Sequence, residues 1–213
     1  KFERSMFIIL LTLLFWTPTF QVTTNINKHG LRYQNLLSVC HEACKEISEL
    51  VHVIYKDGLN SDTTLKKSDN SAFTIADALV QYLLEELLSN EVGSIVGEED
   101  SMIKYDNIKQ TYLIDSLQLP LEFVDMVNNR MKIMQNLRKT KLDSTILGYN
   151  YKHLTAIIDP IDGTKEFISS LGEMCTICIG FSDTATGKAV AGIVYRPMTN
   201  TWAAGAASED FSM

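Results

Sequence analysis

The sequence predicts an α+β fold in which two long helices pack on an antiparallel sheet. Apolar residues recur at helical spacing in the first half of the 213-residue chain, whereas β-rich runs separated by turns follow residue 150. Helices first and strands afterwards favour segregated α+β layers over βαβ alternation. The composition, 46% hydrophobic and 21% charged, is typical of a globular protein.

Two helices are predicted in the first ninety or so residues. The first runs from Leu31 to Tyr55 and is closed by Gly58, since glycine is common just after a helix C-terminus. The second runs from about Thr74 to Ser89 and has one broad apolar face. Asp77 lies three residues after Thr74, so a capping box is a sufficient structural explanation for this acid.

Four strands are predicted around two acidic segments. A short strand over residues 93–97 ends in Glu98-Glu99-Asp100, and Leu154 to Ile158 runs directly into Asp159. Cys175 to Phe181 and Ala189 to Tyr195 form a predicted antiparallel hairpin, because a short glycine-containing turn joins them. The segment from Trp202 to Ala207 is a candidate for one more strand.

This pattern predicts an N-terminal segment and one domain that contains an insertion. Residues 1–30 are predicted to be a signal peptide or anchor with its linker, because Phe7 to Trp16 is continuously apolar but shorter than the roughly 20 residues of a membrane span. Residues 31–213 form an α+β domain with an insertion at about 101–150, in which Leu121 to Leu137 suits a helix. The apolar start suggests the secretory pathway or an organelle, with the cytoplasm as the alternative.

The charge pattern limits the possible partners. The net charge is -7, and the 19 Lys and Arg residues form no dense run, so a nucleic acid polymer is not expected to bind. A small anion remains compatible with this charge, because a bound divalent cation reverses the local potential. The four cysteines are expected to be buried thiols; Cys175 and Cys178 point to opposite faces of a predicted strand and suit a shared zinc site poorly.

The segment from Asp159 to Thr164, Asp-Pro-Ile-Asp-Gly-Thr, carries the main functional signal. Pro160 restricts the backbone, so Asp159 and Asp162 are presented close together with the Ile161 carbonyl between them. Gly163 permits backbone geometry that a side chain would forbid. Carboxylate and carbonyl oxygens are the ligands that Mg²⁺ prefers. Each acid alone is equally compatible with an ordinary turn.

Three segments of the chain occur in the order expected of one known superfamily. Thr74-Ile75-Ala76-Asp77, then Val96-Gly97-Glu98-Glu99-Asp100, then the Asp159 to Thr164 motif make the chain similar to the lithium-sensitive, Mg²⁺-dependent phosphatases of the inositol monophosphatase superfamily. The resemblance spans roughly Leu31 to Ala207. It implies a layered sugar-phosphatase fold of the fructose-1,6-bisphosphatase type. It also implies two or three Mg²⁺ ions, inhibition by Li⁺ and a small phosphorylated metabolite as substrate.

The resemblance also implies a role for individual residues. Glu98, Asp159 and the Ile161 carbonyl are expected to hold one Mg²⁺, and Asp159 with Asp162 a second. Gly163 and Thr164 are expected to bind the phosphate through backbone N–H groups. Thr164, hydrogen-bonded to Asp77, is expected to help activate the attacking water, with Glu98 as a further catalytic residue.

Within the superfamily, the segment Lys165-Glu166-Phe167 is most similar to the 3′(2′),5′-bisphosphate nucleotidases, which convert 3′-phosphoadenosine 5′-phosphate to AMP and phosphate. The alternatives are a phosphatase of inositol monophosphate or polyphosphate, which would connect the chain to phosphatidylinositol phosphate synthesis, and an inactive metal-binding fragment. The oligomeric state is left open.

One element of the family pattern has no counterpart in the sequence. The superfamily takes a further metal-binding Asp from a later Trp-Asp motif in a C-terminal domain, whereas Trp202 is followed by Ala203. The chain therefore resembles the N-terminal half of such an enzyme. The 213 residues alone are expected to have little or no activity.

Overall fold

The computed structural model describes residues 28–58, 64–66, 72–99, 103–106, 111–114 and 117–207. The apolar segment from Phe7 to Trp16 lies outside these ranges, so the signal peptide or anchor stays a prediction. Within the described ranges, no helix has the length and apolar character needed to cross a membrane.

The described chain contains helices and strands in the layered order that the sequence predicts. The helices are α1 (Lys28–Val53), α2 (Ile75–Leu88), α3 (Leu121–Leu137), α4 (Ser144–Leu147) and α5 (Thr164–Ile168). The strands are β1 (Thr64–Lys66), β2 (Ala72–Thr74), β3 (Val92–Gly97), β4 (Ile103–Asp106), β5 (Thr111–Ile114), β6 (Leu117–Gln118), β7 (Tyr151–Asp162), β8 (Thr176–Asp183), β9 (Ala189–Arg196) and β10 (Thr201–Ala206). A π-helical turn (Ile54–Gly58) extends α1.

A five-stranded sheet with the order β10-β9-β8-β7-β3 forms the main layer. Strands β7 to β10 are antiparallel neighbours, as expected, but β3 runs parallel to β7. The sheet is therefore mixed and not antiparallel throughout. The long connection between β3 and β7, which contains α3, allows the chain to return in the same direction, as parallel pairing requires.

The helices cover this sheet and one another. Helix α2 packs on β7, α1 contacts β9 and β10, and α3 packs against both α1 and α2. Apolar side chains on the inner face of α1, among them Leu36, Ile47 and Leu50, are fully buried, and each such burial contributes about 1.5–3 kcal/mol. Val127 and Met134 of α3 are also fully buried. Part of the predicted insertion thus belongs to the core.

Strand β7 is longer than the sequence predicts. It does not end at Asp159 but continues to Asp162. Asp159 pairs with Cys178 and Asp162 with Thr176, so β7 advances three residues while β8 advances two. The extra residue forms a β-bulge between Asp159 and Asp162, a stretch that includes Pro160, which has no N–H group to donate to the ladder. Bulges redirect side chains, and this one lies within the acidic motif.

Candidate metal and phosphate site

Two neighbouring strands bring the acidic segments together. Gly97 of β3 is in register with Ile158 of β7, and the Glu98 N–H donates to the Ile158 carbonyl at 2.9 Å. Because the strands are parallel, Glu98 and Asp159 emerge at the same edge of the sheet. The pairing of β3 with β7 therefore places the two acidic segments next to each other.

Asp159 lies in an unfavourable environment for a carboxylate. Burial, the charge of Glu98, a hydrogen bond with the Glu98 carboxyl and the charges of Asp162 and Asp77 raise its pKa well above the ordinary range. Its Oδ1 atom is buried and has no hydrogen-bond partner among the described residues. An unsatisfied buried acceptor costs about 1–3 kcal/mol. Such an atom suits a site whose remaining partner is a cation.

Asp162 is the third acid at this edge of the sheet. We call Glu98, Asp159 and Asp162 together the acidic edge. Burial and then the charge of Glu98 raise its pKa, and Thr176 Oγ1 lies 3.5 Å from its Oδ2, at the long limit of a hydrogen bond. In the part of the chain that the structure describes, no three His, Cys, Asp or Glu side chains enclose a common point for an ion. The negative charges of the three acids disfavour one another without a cation between them. Their carboxylate oxygens are the ligands that a hard divalent cation prefers.

A second set of hydrogen bonds joins the start of α2 to the same motif. Thr74 is the N-cap of α2, and its N–H and Oγ1 donate to Asp77 Oδ2 at 2.8 and 2.6 Å. Thr164 Oγ1 lies 3.0 Å from Asp77 Oδ1 and 2.9 Å from the Ile161 carbonyl. Asp77 thus caps its helix with one oxygen and contacts Thr164 with the other. The predicted capping box is present, and so is the hydrogen bond between Thr164 and Asp77 that the family resemblance implies.

The ionisation of Asp77 follows from this arrangement. Burial raises its pKa to about 7, with a smaller contribution from Glu99, while the hydrogen bonds from Thr74 and Thr164 oppose the rise. Oδ2 already accepts two bonds, so Oδ1 is the oxygen that remains for a proton. That oxygen faces Thr164. A proton bound to Asp77 would therefore lie between Asp77 and Thr164.

Gly163 shapes the backbone where α5 begins. Its φ is +96°, in the left-handed region that favours glycine. A Cβ there would lie 3.5 Å from Cys175 Sγ, which is ordinary contact, so conformation and not space requires glycine. The Phe167 N–H donates to the Gly163 carbonyl, which leaves the first N–H groups of α5 at the open end of the helix.

The cysteines are buried thiols, as the sequence predicts. Burial raises the pKa of Cys40, Cys175 and Cys178 to about 12 and that of Cys44 well above the ordinary value. Burial therefore favours the protonated form of each thiol.

One residue beside the site was not among the predicted site residues. Gln81 is buried on α2 and bonds to the main chain of Glu99. The only signal in the sequence is a polar residue one turn after Asp77 on an otherwise apolar helix face.

Comparisons with known proteins point to one family. The model of the inositol monophosphatase family matches residues 32–211. 3′(2′),5′-Bisphosphate nucleotidase 1 of Arabidopsis thaliana is 29% identical over 182 residues, covering 78% of this chain and 48% of that protein. The human protein of the same name is 26% identical, covering 66% of this chain and 50% of that protein. The crystal structure of staphylococcal IMPase-I complexed with products has a TM-score of 0.50 at 16% identity, covering 83% of this chain and 49% of that chain.

The chain spans about half the length of the curated relatives it matches. The structural likeness supports the layered α+β fold alone. The family match over residues 32–211 includes β3, β7 and the helices α2 and α5, which carry or adjoin the predicted site residues. On this evidence the chain belongs to the inositol monophosphatase family.

Proposed function

We propose that this chain is the metal-binding part of a Mg²⁺-dependent phosphomonoester hydrolase. The observation that carries the proposal is the buried, unpartnered Oδ1 of Asp159 beside Glu98 and Asp162. Glu98, Asp159 and the Ile161 carbonyl would hold one cation, and Asp162 would help to hold a second. A bound divalent cation supplies positive charge that acidifies water and offsets the charge of a phosphate.

The protein's own residues supply the proton transfer. The Thr164 hydroxyl can accept a proton from an attacking water as it passes its own proton to Asp77 Oδ1, which lies 3.0 Å away. The raised pKa of Asp77, about 7, suits a group that accepts a proton near neutral pH. The N–H groups of Gly163 and Thr164, at the start of α5, would bind phosphate oxygens.

For the substrate we propose a 3′(2′),5′-bisphosphate nucleotide, with 3′-phosphoadenosine 5′-phosphate giving AMP and phosphate. Two observations support this choice: the segment from Lys165 to Phe167, and the similarity to the Arabidopsis and human proteins named 3′(2′),5′-bisphosphate nucleotidase 1. Lys165 and Glu166 are exposed on α5, directly after Thr164. They are therefore available to a ligand at the phosphate site.

The test is phosphate release from 3′-phosphoadenosine 5′-phosphate and from inositol 1-phosphate, each with Mg²⁺ and with EDTA. The complete gene product should prefer the nucleotide and lose activity in EDTA, whereas the 213-residue chain alone should release little phosphate. Preference for inositol 1-phosphate would favour the alternative substrate. Activity that persists in EDTA would contradict the metal-dependent mechanism.

The variants Thr164→Ser and Thr164→Val, made in the complete gene product, test the proton transfer as a matched pair. Serine retains the hydroxyl and should retain most of kcat, whereas valine removes it at similar volume. General-base catalysis is worth about 10²–10⁴-fold, so Thr164→Val should lower kcat by at least about 10²-fold. Equal activity of the two variants would exclude the Thr164–Asp77 pair from the reaction.

A further inference from the structure

Gln81 connects α2 to the turn that carries Glu98. Its side chain is buried, with 6% of its surface exposed. The amide oxygen accepts the Glu99 N–H at 2.9 Å, and the amide nitrogen donates to the Glu99 carbonyl at 2.8 Å. The nitrogen also donates to Glu85 Oε1 at 2.9 Å. The orientation of the Gln81 amide is fixed by these bonds. In the reversed orientation its NH₂ group would face the Glu99 N–H, and its oxygen would face the Glu99 carbonyl and Glu85 Oε1.

Gly97 allows this close approach. A Cβ on Gly97 would collide with the amide group of Gln81, so any larger residue there would displace the amide from its position. The φ of Gly97 is not in the left-handed region, which means that contact and not backbone conformation explains the residue. Gly97 and Gln81 are thus complementary in shape.

These contacts hold the backbone on both sides of Glu98. Before the side chain, the Glu98 N–H donates to the Ile158 carbonyl of β7. After it, both main-chain polar groups of Glu99 are bound by Gln81. The Glu98 side chain itself is exposed and contacts the Asp159 carboxyl. The backbone that Gln81 binds therefore sets the direction of the Glu98 Cα–Cβ bond.

We propose that Gln81 is a positioning residue for Glu98: by binding the main chain of Glu99, it holds the Glu98 carboxylate beside Asp159 and so sets the affinity of the acidic edge for a divalent cation. This inference rests on the proposed metal site. Helix α2 then serves the site twice, through Asp77 at its first turn and Gln81 one turn later.

The test compares Mg²⁺ affinity by isothermal titration calorimetry in the wild-type chain and in Gln81→Met. Methionine has similar length and volume but makes none of the three hydrogen bonds. Residues that orient a metal ligand typically contribute about 10–100-fold in affinity, so Gln81→Met should weaken Mg²⁺ binding by about 10-fold or more. Gln81→Glu, which retains the bond from the Glu99 N–H but cannot donate, is the second variant if methionine prevents folding, and it should weaken binding as well.

Thr111→Val is the matched structural control. It removes a buried hydrogen bond from Thr111 Oγ1 to the Leu119 carbonyl, 2.7 Å long, in the separate three-stranded sheet. Circular dichroism should show a lower melting temperature for this variant, while its Mg²⁺ affinity should equal that of the wild type. A purely structural role for Gln81 would give the same result in Gln81→Met and would overturn the proposal.

A double-mutant cycle with Glu98→Gln shows whether Gln81 acts through Glu98. Gln81→Met should have little further effect on Mg²⁺ affinity once Glu98 is neutral. An equal loss in both backgrounds would overturn the positioning role. Failure of the wild-type chain to bind Mg²⁺ would overturn the metal site and this inference together, whereas wild-type binding with unchanged Gln81→Met affinity would overturn only the inference.

Discussion

At the scale of single residues, the acidic edge is arranged for binding at the expense of stability. Asp159 is surrounded by other acids, and its Oδ1 has no partner among the described residues. Asp77, by contrast, has both oxygens bonded, to Thr74 and Thr164. A protein selected only for stability would not keep the Asp159 carboxylate, so the site is where we expect stability and function to conflict.

Replacing Asp159 should reveal this conflict. Its folded pKa lies above the unfolded value of about 3.9, so its protonated form favours folding and the stability it contributes is lost as the pH rises. The raised pKa of Asp77, about 7, acts in the same direction. In EDTA, the melting temperature of the wild type should therefore fall between about pH 5 and pH 8. Asp159→Asn should melt higher at pH 8, show a smaller fall and lose the stabilisation by Mg²⁺.

Asp183→Asn is the control for this titration. Hydrogen bonds within its turn, from Thr186 and Ala185, lower the pKa of Asp183, so this group titrates below the pH range of interest. The Asp183→Asn variant should keep the pH dependence and the Mg²⁺ response of the wild type. An unchanged pH dependence in Asp159→Asn would contradict the electrostatic account of the site.

Some of these residues could be predicted from a short sequence motif, whereas others depend on contacts between distant parts of the chain. Asp159, Asp162, Gly163 and Thr164 lie in one short motif, so the sequence alone identified them as a group. The bond between Thr164 and Asp77 joins residues 87 positions apart and was expected only from the family resemblance. Gln81 binds a main chain 18 positions away, and a buried glutamine alone does not indicate its partner.

At the scale of elements, Thr74 both caps helix α2 and binds Asp77, the residue that contacts Thr164. Thr74 Oγ1 accepts the Ala76 N–H and donates to Asp77 Oδ2, which forms the predicted capping box. Loss of an N-cap of this kind costs about 0.5–2 kcal/mol. Because Thr74 also orients Asp77, the cap links the stability of the helix to the geometry of the site.

Thr74→Ala should therefore lower the free energy of unfolding by about 1–2 kcal/mol in urea denaturation. The control is Asp143→Ala at the N-cap of the short, exposed helix α4, where the side chain accepts the Thr145 N–H. Its loss should cost less, because α4 buries none of its four residues. Equal costs for the two variants would contradict a special role for the Thr74 cap.

The elements differ in how far sequence could predict them. The apolar spacing of α2 and α3 is local, so their predicted limits are within about a residue of those observed. The direction of β3 relative to β7, and the bulge in β7, depend on a long connection and on pairing with β8. The short strands β1, β2 and β4 to β6 were missed, because two to four residues give too little alternation to recognise.

At the scale of the whole molecule, the predicted site residues come from elements that lie side by side. Glu98 directly follows β3, β7 supplies Asp159 and Asp162, and the starts of α2 and α5 supply Asp77 and Thr164. The chain spans about half the length of the curated relatives it matches.

The most direct test of the metal site is a crystal structure of the chain grown with MnCl₂ and measured at the manganese absorption edge. The anomalous difference map should contain a peak in contact with the Asp159 carboxylate, with Glu98 turned toward it. Ordered density for Glu98, Asp159 and Asp162 without such a peak, or with a peak only elsewhere, would contradict the proposed site.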